Sequence, residues 1–333
     1  VLLADALTLV PRLTRLLTMV GSFAERGIGK MRKQAHRFAR DLQMACVCLI
    51  FAAFAAYAGG TKPQKVTEDT IASVTLATVN SVQTGAVYKL YIYLPASYEM
   101  GTATYPVIYA TDGDSAFPPE GRFVNFTKTL QRRGIDAILV GIGGTGRRNK
   151  DYVLPGAKAY HEFITQELIP FIESHFRADP KRRILCGVSL GGSFVVTSLF
   201  FEAPNTLFFS HYISAEGSFF LPSFVAQEQK FSSTIGTKSI PATLILARGS
   251  VSNKVQQQQF SAAIGSKNNP AIANLARDYS EATNSAEVDA FYQRMVHRHY
   301  VDLILIETHF GTDHIGTDNP SFEDAVVRIF EKR

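Results

Sequence analysis

The run Arg183-Ile184-Leu185-Cys186-Gly187-Val188-Ser189-Leu190-Gly191-Gly192 sets one serine between glycines two positions away on each side, the spacing G-x-S-x-G. The apolar residues before it read as a buried strand, and Ser193-Phe194-Val195-Val196-Thr197-Ser198-Leu199-Phe200 after it as a helix. A strand that turns straight into a helix at one serine is a nucleophile elbow, so sharp that the flanking positions have no room for a side chain. Such a turn holds the hydroxyl of Ser189 exposed above a sheet. It also aims the N–H of Leu190, at the helix start, toward any oxyanion that forms there.

A serine hydroxyl needs a base to take its proton, and the chain order of this chemistry puts that base late. Of eight histidines, His36 lies in an N-terminal segment, His161 and His175 on a surface-like helix before the serine, His211 in a strand, and His297 and His299 on a helix. His309 and His314 follow the last strand, and His314, further into a loop of small residues, is favoured. The acid that orients the ring is expected after the strand Ala242–Ala247. Arg248-Gly249-Ser250-Val251-Ser252-Asn253 holds no carboxylate, and the next acid is Asp278. Two readings stay open: Glu216, just past the strand Phe208–Ala215, as the acid, or a Ser-His dyad whose ring is oriented by a backbone carbonyl or an amide such as Asn253. Asp313, adjacent to His314, is not expected to face it. The second oxyanion donor is expected from Asp112-Gly113-Asp114, at the backbone of Gly113 or Asp114.

Gly141-Ile142-Gly143-Gly144-Thr145-Gly146 satisfies G-x-G-x-x-G after a strand. A dinucleotide fingerprint must open directly into a helix, whereas here a charged stretch ending in Pro155 follows, which argues against a nucleotide cofactor. No H-E-x-x-H, paired cysteines or carboxylate cluster suggests a metal. No cofactor is expected.

The elements that would position these groups alternate. Ile71–Val79 and Ala86–Leu94 read as strands joined by a hairpin at Gln83-Thr84-Gly85, followed by strands at Tyr105–Thr111 and Gly134–Gly141 with a helix at Gly121–Arg133 between them. A helix at Gly156–His175, the strand at 184–189, a helix at 191–202 and strands at Phe208–Ala215 and Ala242–Ala247 come next. Helical segments at Lys254–Ala263 and Ala286–His299, a strand at Val301–Thr308 and a helix at Phe322–Lys332 complete the chain. Strands alternating with helices make a mostly parallel sheet covered on both faces, here with an antiparallel N-terminal hairpin. No internal repeat or second-domain boundary interrupts residues 71–333, and the polar stretch Gly249–Ser285 reads as a solvated excursion.

The formal charge of +5 is misleading as a global figure. Residues 1–58 hold eight Lys/Arg against three acids, and the rest of the chain is neutral, so no basic field argues for nucleic acid. Cys46 and Cys48 share that early segment, which leaves the body with Cys186 alone and no internal disulfide. Met31–Arg40 is basic, Leu42–Ala58 is uncharged and apolar, and Ala56-Tyr57-Ala58 precedes two glycines. This is the pattern of a secretory signal over 31–58, with an uncleaved membrane anchor as the alternative. Residues 1–30 are expected to be upstream sequence read in frame, 59–70 a linker, and the globular part exported, without stable membrane insertion once the signal is cleaved.

Several ordered stretches carry a family resemblance: Tyr91-Ile92-Tyr93-Leu94-Pro95 with Tyr98; Tyr105-Pro106-Val107-Ile108-Tyr109 to Asp112-Gly113; Val140-Gly141-Ile142-Gly143 with Arg148 and Asp151-Tyr152; Phe163-Ile164 with Glu167-Leu168-Ile169-Pro170-Phe171-Ile172; Gly187-Val188-Ser189-Leu190-Gly191-Gly192; and Thr312-Asp313-His314. Over most of residues 70–333 the chain resembles the α/β-hydrolase esterases of the esterase D type, in the branch of siderophore trilactone esterases. The resemblance implies Ser189 as nucleophile, His314 as base, and Gly141–Tyr152 as a loop near the site. The chain departs from the pattern where Val188 replaces a frequent histidine, where an acid after Gly249 is missing, where Glu216 replaces a small residue, and where Phe219-Phe220 replaces a tryptophan pair. The function expected is hydrolysis of a small-molecule carboxylic ester through a Ser189 acyl-enzyme. An acyltransferase on the same fold and a catalytically silent binding protein are the alternatives. Siderophore lactone, aryl or feruloyl ester, acetylated sugar and short acyl ester all remain open as substrates.

Overall fold

The structure, a computed structural model, describes residues 64–66, 74–203, 206–250 and 284–331. The expected signal segment, most of the linker, the helical segment Lys254–Ala263, and Asn253 lie outside the described residues.

Among the described residues nine strands form one sheet: β1 (Gln64–Val66), β2 (Val74–Asn80), β3 (Val87–Tyr93), β4 (Tyr105–Ala110), β5 (Ile138–Ile142), β6 (Ala178–Val188), β7 (His211–Ala215), β8 (Thr243–Arg248) and β9 (Ile304–His309). They lie in the order β1-β2-β3-β5-β4-β6-β7-β8-β9. β1, β2 and β3 pair antiparallel, β3 joins β5 antiparallel, and from β5 to β9 every pairing is parallel. This is the mostly parallel sheet with an antiparallel N-terminal hairpin expected from the alternation of elements, in the α/β-hydrolase arrangement that the resemblance implies.

The helices are α1 (Arg122–Arg133), α2 (Arg148–Asp151), α3 (Gly156–Phe163), α4 (Ile169–His175), α5 (Leu190–Glu202), α6 (Pro222–Ile235), α7 (Asn284–Arg298) and α8 (Asp318–Phe330). Because successive strand residues point to opposite faces, β4 and β5 sort cleanly. Val107, Tyr109, Ile138 and Val140 join a core with α3 to α7, while Ile108, Ala110 and Leu139 face α1 and α8. These two central strands are therefore buried along their whole length, as a sheet covered on both faces requires. On the second face Phe126 of α1 and Phe322 of α8 stack at 3.7 Å between ring centroids.

The structure corrects two expectations and refines a third. The helix expected over 156–175 is continuous but carries a π turn at Ile164–Leu168 between α3 and α4, where the Ile169 N–H reaches back five residues to the Ile164 carbonyl. Pro170 supplies the reason, since it has no N–H to continue the regular ladder. His161 is buried rather than on the surface, because Glu202 of α5 meets its Nε2 at 2.8 Å. That carboxylate is itself fixed by the Tyr212 hydroxyl and the Phe208 N–H, both donating at 2.6 Å. β6 begins at Ala178, earlier than the apolar run, because Ala178 pairs with Tyr105 of β4 ahead of a bulge.

Candidate active site

All candidate groups come from loops at the carboxyl ends of the parallel strands, where the chain leaves the sheet and side chains converge. Ser189 separates β6 from α5 and has φ 58 and ψ −121. A serine in that conformation stores about 1–3 kcal/mol of strain and persists only where its surroundings impose it. Its N–H donates to the Ala215 carbonyl at 2.9 Å, and its carbonyl accepts from Ser193 at 3.0 Å and Ser218 at 3.2 Å. A Cβ on Gly191 would come within 2.6 Å of the Thr111 hydroxyl, and one on Gly187 would run into the Gly191 carbonyl. The G-x-S-x-G spacing thus follows from close approach at both glycines. Leu190 opens α5, so its N–H is one of the four without a partner inside the helix.

Glu216 follows β7, also with positive φ (47°), and is fully buried. Its N–H donates to the Ala247 carbonyl at 2.8 Å, and its own carbonyl accepts from Asn284 Nδ2 at 2.6 Å. Its Oε1 accepts the Gly249 N–H, and its Oε2 stands 3.1 Å from His314 Nδ1. Gly249 is tightly enclosed, since a Cβ there would lie 2.8 Å from Thr317 Oγ1 and 3.4 Å from Glu216 Oε1. The loop that carries no acid of its own therefore contributes a backbone donor to an acid from the neighbouring strand. His309 is engaged elsewhere: its Nε2 lies 2.7 Å from Ser250 Oγ. Asp313 accepts the Gly316 N–H at 2.6 Å and, through its carbonyl, the Thr317 N–H at 2.9 Å, building the turn that leads into α8.

The loop after β4 is held from several sides. Asp112, at φ 56, is buried, its Oδ1 lying 3.1 Å from Arg148 Nε and 3.2 Å from the Tyr152 hydroxyl. Burial raises its carboxyl above the ordinary range, against the pull of Arg148 and Arg122. Gly113 donates its N–H to the Ile142 carbonyl of β5 at 2.8 Å, so that hydrogen is already spent, and the backbone candidates that remain are Leu190 and Asp114, whose N–H, among the described residues, meets only its own carboxylate. The Asp114 carboxylate accepts from the N–H groups of Gly144 (2.9 Å) and Thr145 (3.1 Å). Partial burial would raise this carboxyl, but the Thr145 hydroxyl and those two N–H groups outweigh it and hold it below the ordinary range. Within the 141–146 segment, Gly144 and Thr145 thus donate to a protein carboxylate, while Gly143 donates to the Lys89 carbonyl at 2.8 Å.

Sequence reasoning missed the buried arginine behind this loop. Arg122 donates to Asp318 through Nε (2.8 Å) and Nη2 (3.1 Å), and its Nη1 donates to the Thr111 carbonyl. Asp318 opens α8, four residues after His314, so one ion pair ties the loop after β4 to the loop of His314. Burial works against the guanidinium charge and Asp318 more than offsets it, so Arg122 holds its proton more firmly than in water. No sequence signal marked it, since the same helix also carries Lys128, Arg132 and Arg133, and nothing in its pattern sets Arg122 apart as the buried one. Arg148 also extends Nη2 to the Val188 carbonyl at 3.2 Å, joining the loop after β5 to the residue before Ser189. Among the described residues, no helix is long and apolar enough to cross a membrane.

Comparison with known proteins places this geometry in a family. The family model described as "Putative esterase" matches residues 81–288. Ferri-bacillibactin esterase BesA of Bacillus subtilis is 27% identical over 214 residues, covering 55% of this chain and 72% of that protein. Among solved structures, an IroE-like serine hydrolase from Shewanella oneidensis superposes with a TM-score of 0.60 at 20% identity, covering 78% of this chain and 80% of that one. Siderophore hydrolase EstB from Aspergillus nidulans gives a TM-score of 0.60 at 18% identity, covering 80% and 98%. These two structures share the fold. The match over most of the folded body shows that the chain belongs to the putative-esterase family, as a carboxylic ester hydrolase on the α/β-hydrolase fold.

Proposed function

We propose that the chain hydrolyses a small-molecule ester through an acyl-enzyme on Ser189. His314 takes the serine proton as the hydroxyl attacks the ester carbonyl. The N–H groups of Leu190 and Asp114 receive the oxyanion, and His314 returns the proton to the leaving alcohol. Water then enters by the same route and releases the acid. Glu216 fixes the His314 tautomer and stabilises the imidazolium as it forms.

The observation that carries this reading is the 3.1 Å approach of a fully buried Glu216 to His314 Nδ1, one strand end from a strained serine. A buried carboxylate against an imidazole favours the Nδ1–H form and leaves Nε2 free to accept a proton. The names of the relatives favour a siderophore ester among the substrates left open, and the signal pattern of residues 31–58 favours export of the enzyme. N-terminal sequencing of the secreted protein tests the signal reading: a mature chain that keeps residues 31–58 would contradict cleavage after Ala58. The chemistry is tested by an organophosphonate ester, which is expected to label Ser189 stoichiometrically in the wild type. Turnover by Ser189→Ala at the wild-type rate would refute the mechanism.

A further inference from the structure

Val188, Ala215 and Ala247 are Cα partners in register across β6, β7 and β8, and they form a buried apolar patch on one face of the sheet. Ser189 and Glu216 are the next residues after two of them. Two phenyl rings, Phe117 and Phe310, pack on this patch while staying partly exposed. Their backbones are anchored: the Phe117 carbonyl accepts from Gly121 N–H at 2.7 Å and Asn125 Nδ2 at 3.1 Å, and the Phe310 N–H donates to the Arg248 carbonyl at 2.8 Å. Phe117 lies three residues beyond Asp114 on the oxyanion loop, and Phe310 four residues before His314.

Charge around the patch is already committed. Arg148 meets Asp112 at 3.1 Å, Arg147 meets Asp151 at 2.9 Å, Arg122 meets Asp318 at 2.8 Å, and Arg248 meets Glu307 at 2.9 Å. Among the described residues, each of these arginines at the strand ends is therefore neutralised by a carboxylate. A substrate carboxylate or phenolate placed there would be desolvated with no free arginine among the described residues to meet it, which is costly.

We propose that Phe117 and Phe310 form the acyl wall of the site, and that its substrate is a neutral ester whose acid part is a short alkyl chain or a single aromatic ring. The inference rests on the serine-esterase reading above and turns its substrate away from the siderophore ester that the names of the relatives suggest. In this placement the acyl substituent rests between the loop that carries Asp114 and Phe117 and the loop that carries Phe310 and His314. There the two rings offer apolar area and no charge.

The test uses the full chain and three p-nitrophenyl esters that share a leaving group: acetate, butyrate and hemisuccinate. Two added methylenes on an apolar wall predict a kcat/KM for butyrate about tenfold above acetate. Hemisuccinate, of similar length but anionic, is expected at least roughly tenfold below butyrate for the desolvation reason given. Phe117→Ala and Phe310→Ala are expected to reduce the butyrate-to-acetate ratio severalfold, and Phe117→Leu and Phe310→Leu to keep most of it. Thermal melts accompany each variant, and if the alanine forms do not fold, the wild-type preference and the leucine forms decide. A preference for hemisuccinate, or a ratio unmoved in folded alanine variants, overturns the inference. Turnover of acetate with labelling of Ser189 but no apolar preference removes this inference alone. No turnover of any ester and no label removes the esterase mechanism with it.

Discussion

Replacing Glu216 by glutamine separates a triad from a dyad, and the structure sets both the direction and the size of the effect. The carboxylate uses Oε1 to accept the Gly249 N–H and presents Oε2 to His314 Nδ1 at 3.1 Å. An amide has one oxygen, so only one contact can survive. If the oxygen stays with Gly249, the NH2 group faces His314 Nδ1 and forces the ring into the Nε2–H tautomer, which cannot take the serine proton. The flipped amide sets NH2 against the Gly249 N–H and leaves that buried donor unmet, at about 1–3 kcal/mol. The first arrangement wins, and the wrong tautomer is expected to lower kcat about 10⁴-fold. That loss is roughly 5.4 kcal/mol of barrier at 1.36 kcal/mol per decade. The assay is kcat for a p-nitrophenyl ester in wild type and Glu216→Gln, with thermal melts to show that both are folded. A folded variant within about tenfold of wild type would refute the argument and leave His314 oriented by another group.

Two further outcomes follow from the supports of the site. Arg122→Met leaves Asp318 buried without its partner, and breaking a buried pair in this way is expected to cost about 3–5 kcal/mol in denaturant unfolding; a change under about 1 kcal/mol would contradict the role given to this pair. For Asp114 the sign is set by a folded-state carboxyl held below its ordinary range. Its stabilisation is complete above the unfolded pKa and is lost as pH falls through the folded one. Thermal melts taken downward from pH 5 are expected to fall less steeply in Asp114→Asn than in wild type, and parallel slopes would contradict the assignment.

How much of this was legible depended on whether the constraint was local. The elbow could be read because its spacing is local, with Gly187 answering a contact to Gly191 four residues on, even though Gly191 itself answers the distant Thr111. The sheet could be read because apolar runs alternate with helical periods, and the hairpin Val74–Tyr93 because its turn carries Gly85 at positive φ. What depends on distant partners was not. His161 looked solvated because Glu202, which buries it, lies 41 residues away. Spacing could not choose between Glu216 and a dyad, since Glu216 and His314 stand 98 residues apart and meet only once β7, β8 and β9 lie side by side. Gly113 seemed as good a donor as Asp114 until β5 took its N–H. The buried pair of Arg122 and Asp318 left no trace in any motif, because a single ion pair has no period.

The central claim is that an acyl group passes through Ser189. Acid-quenching the enzyme during turnover of a p-nitrophenyl ester, followed by peptide mass mapping, tests it most directly. The account predicts the acyl mass on the peptide that contains Ser189, with its decay matching the steady-state rate. Turnover with that peptide unmodified, or an acyl group found on another residue, would contradict it.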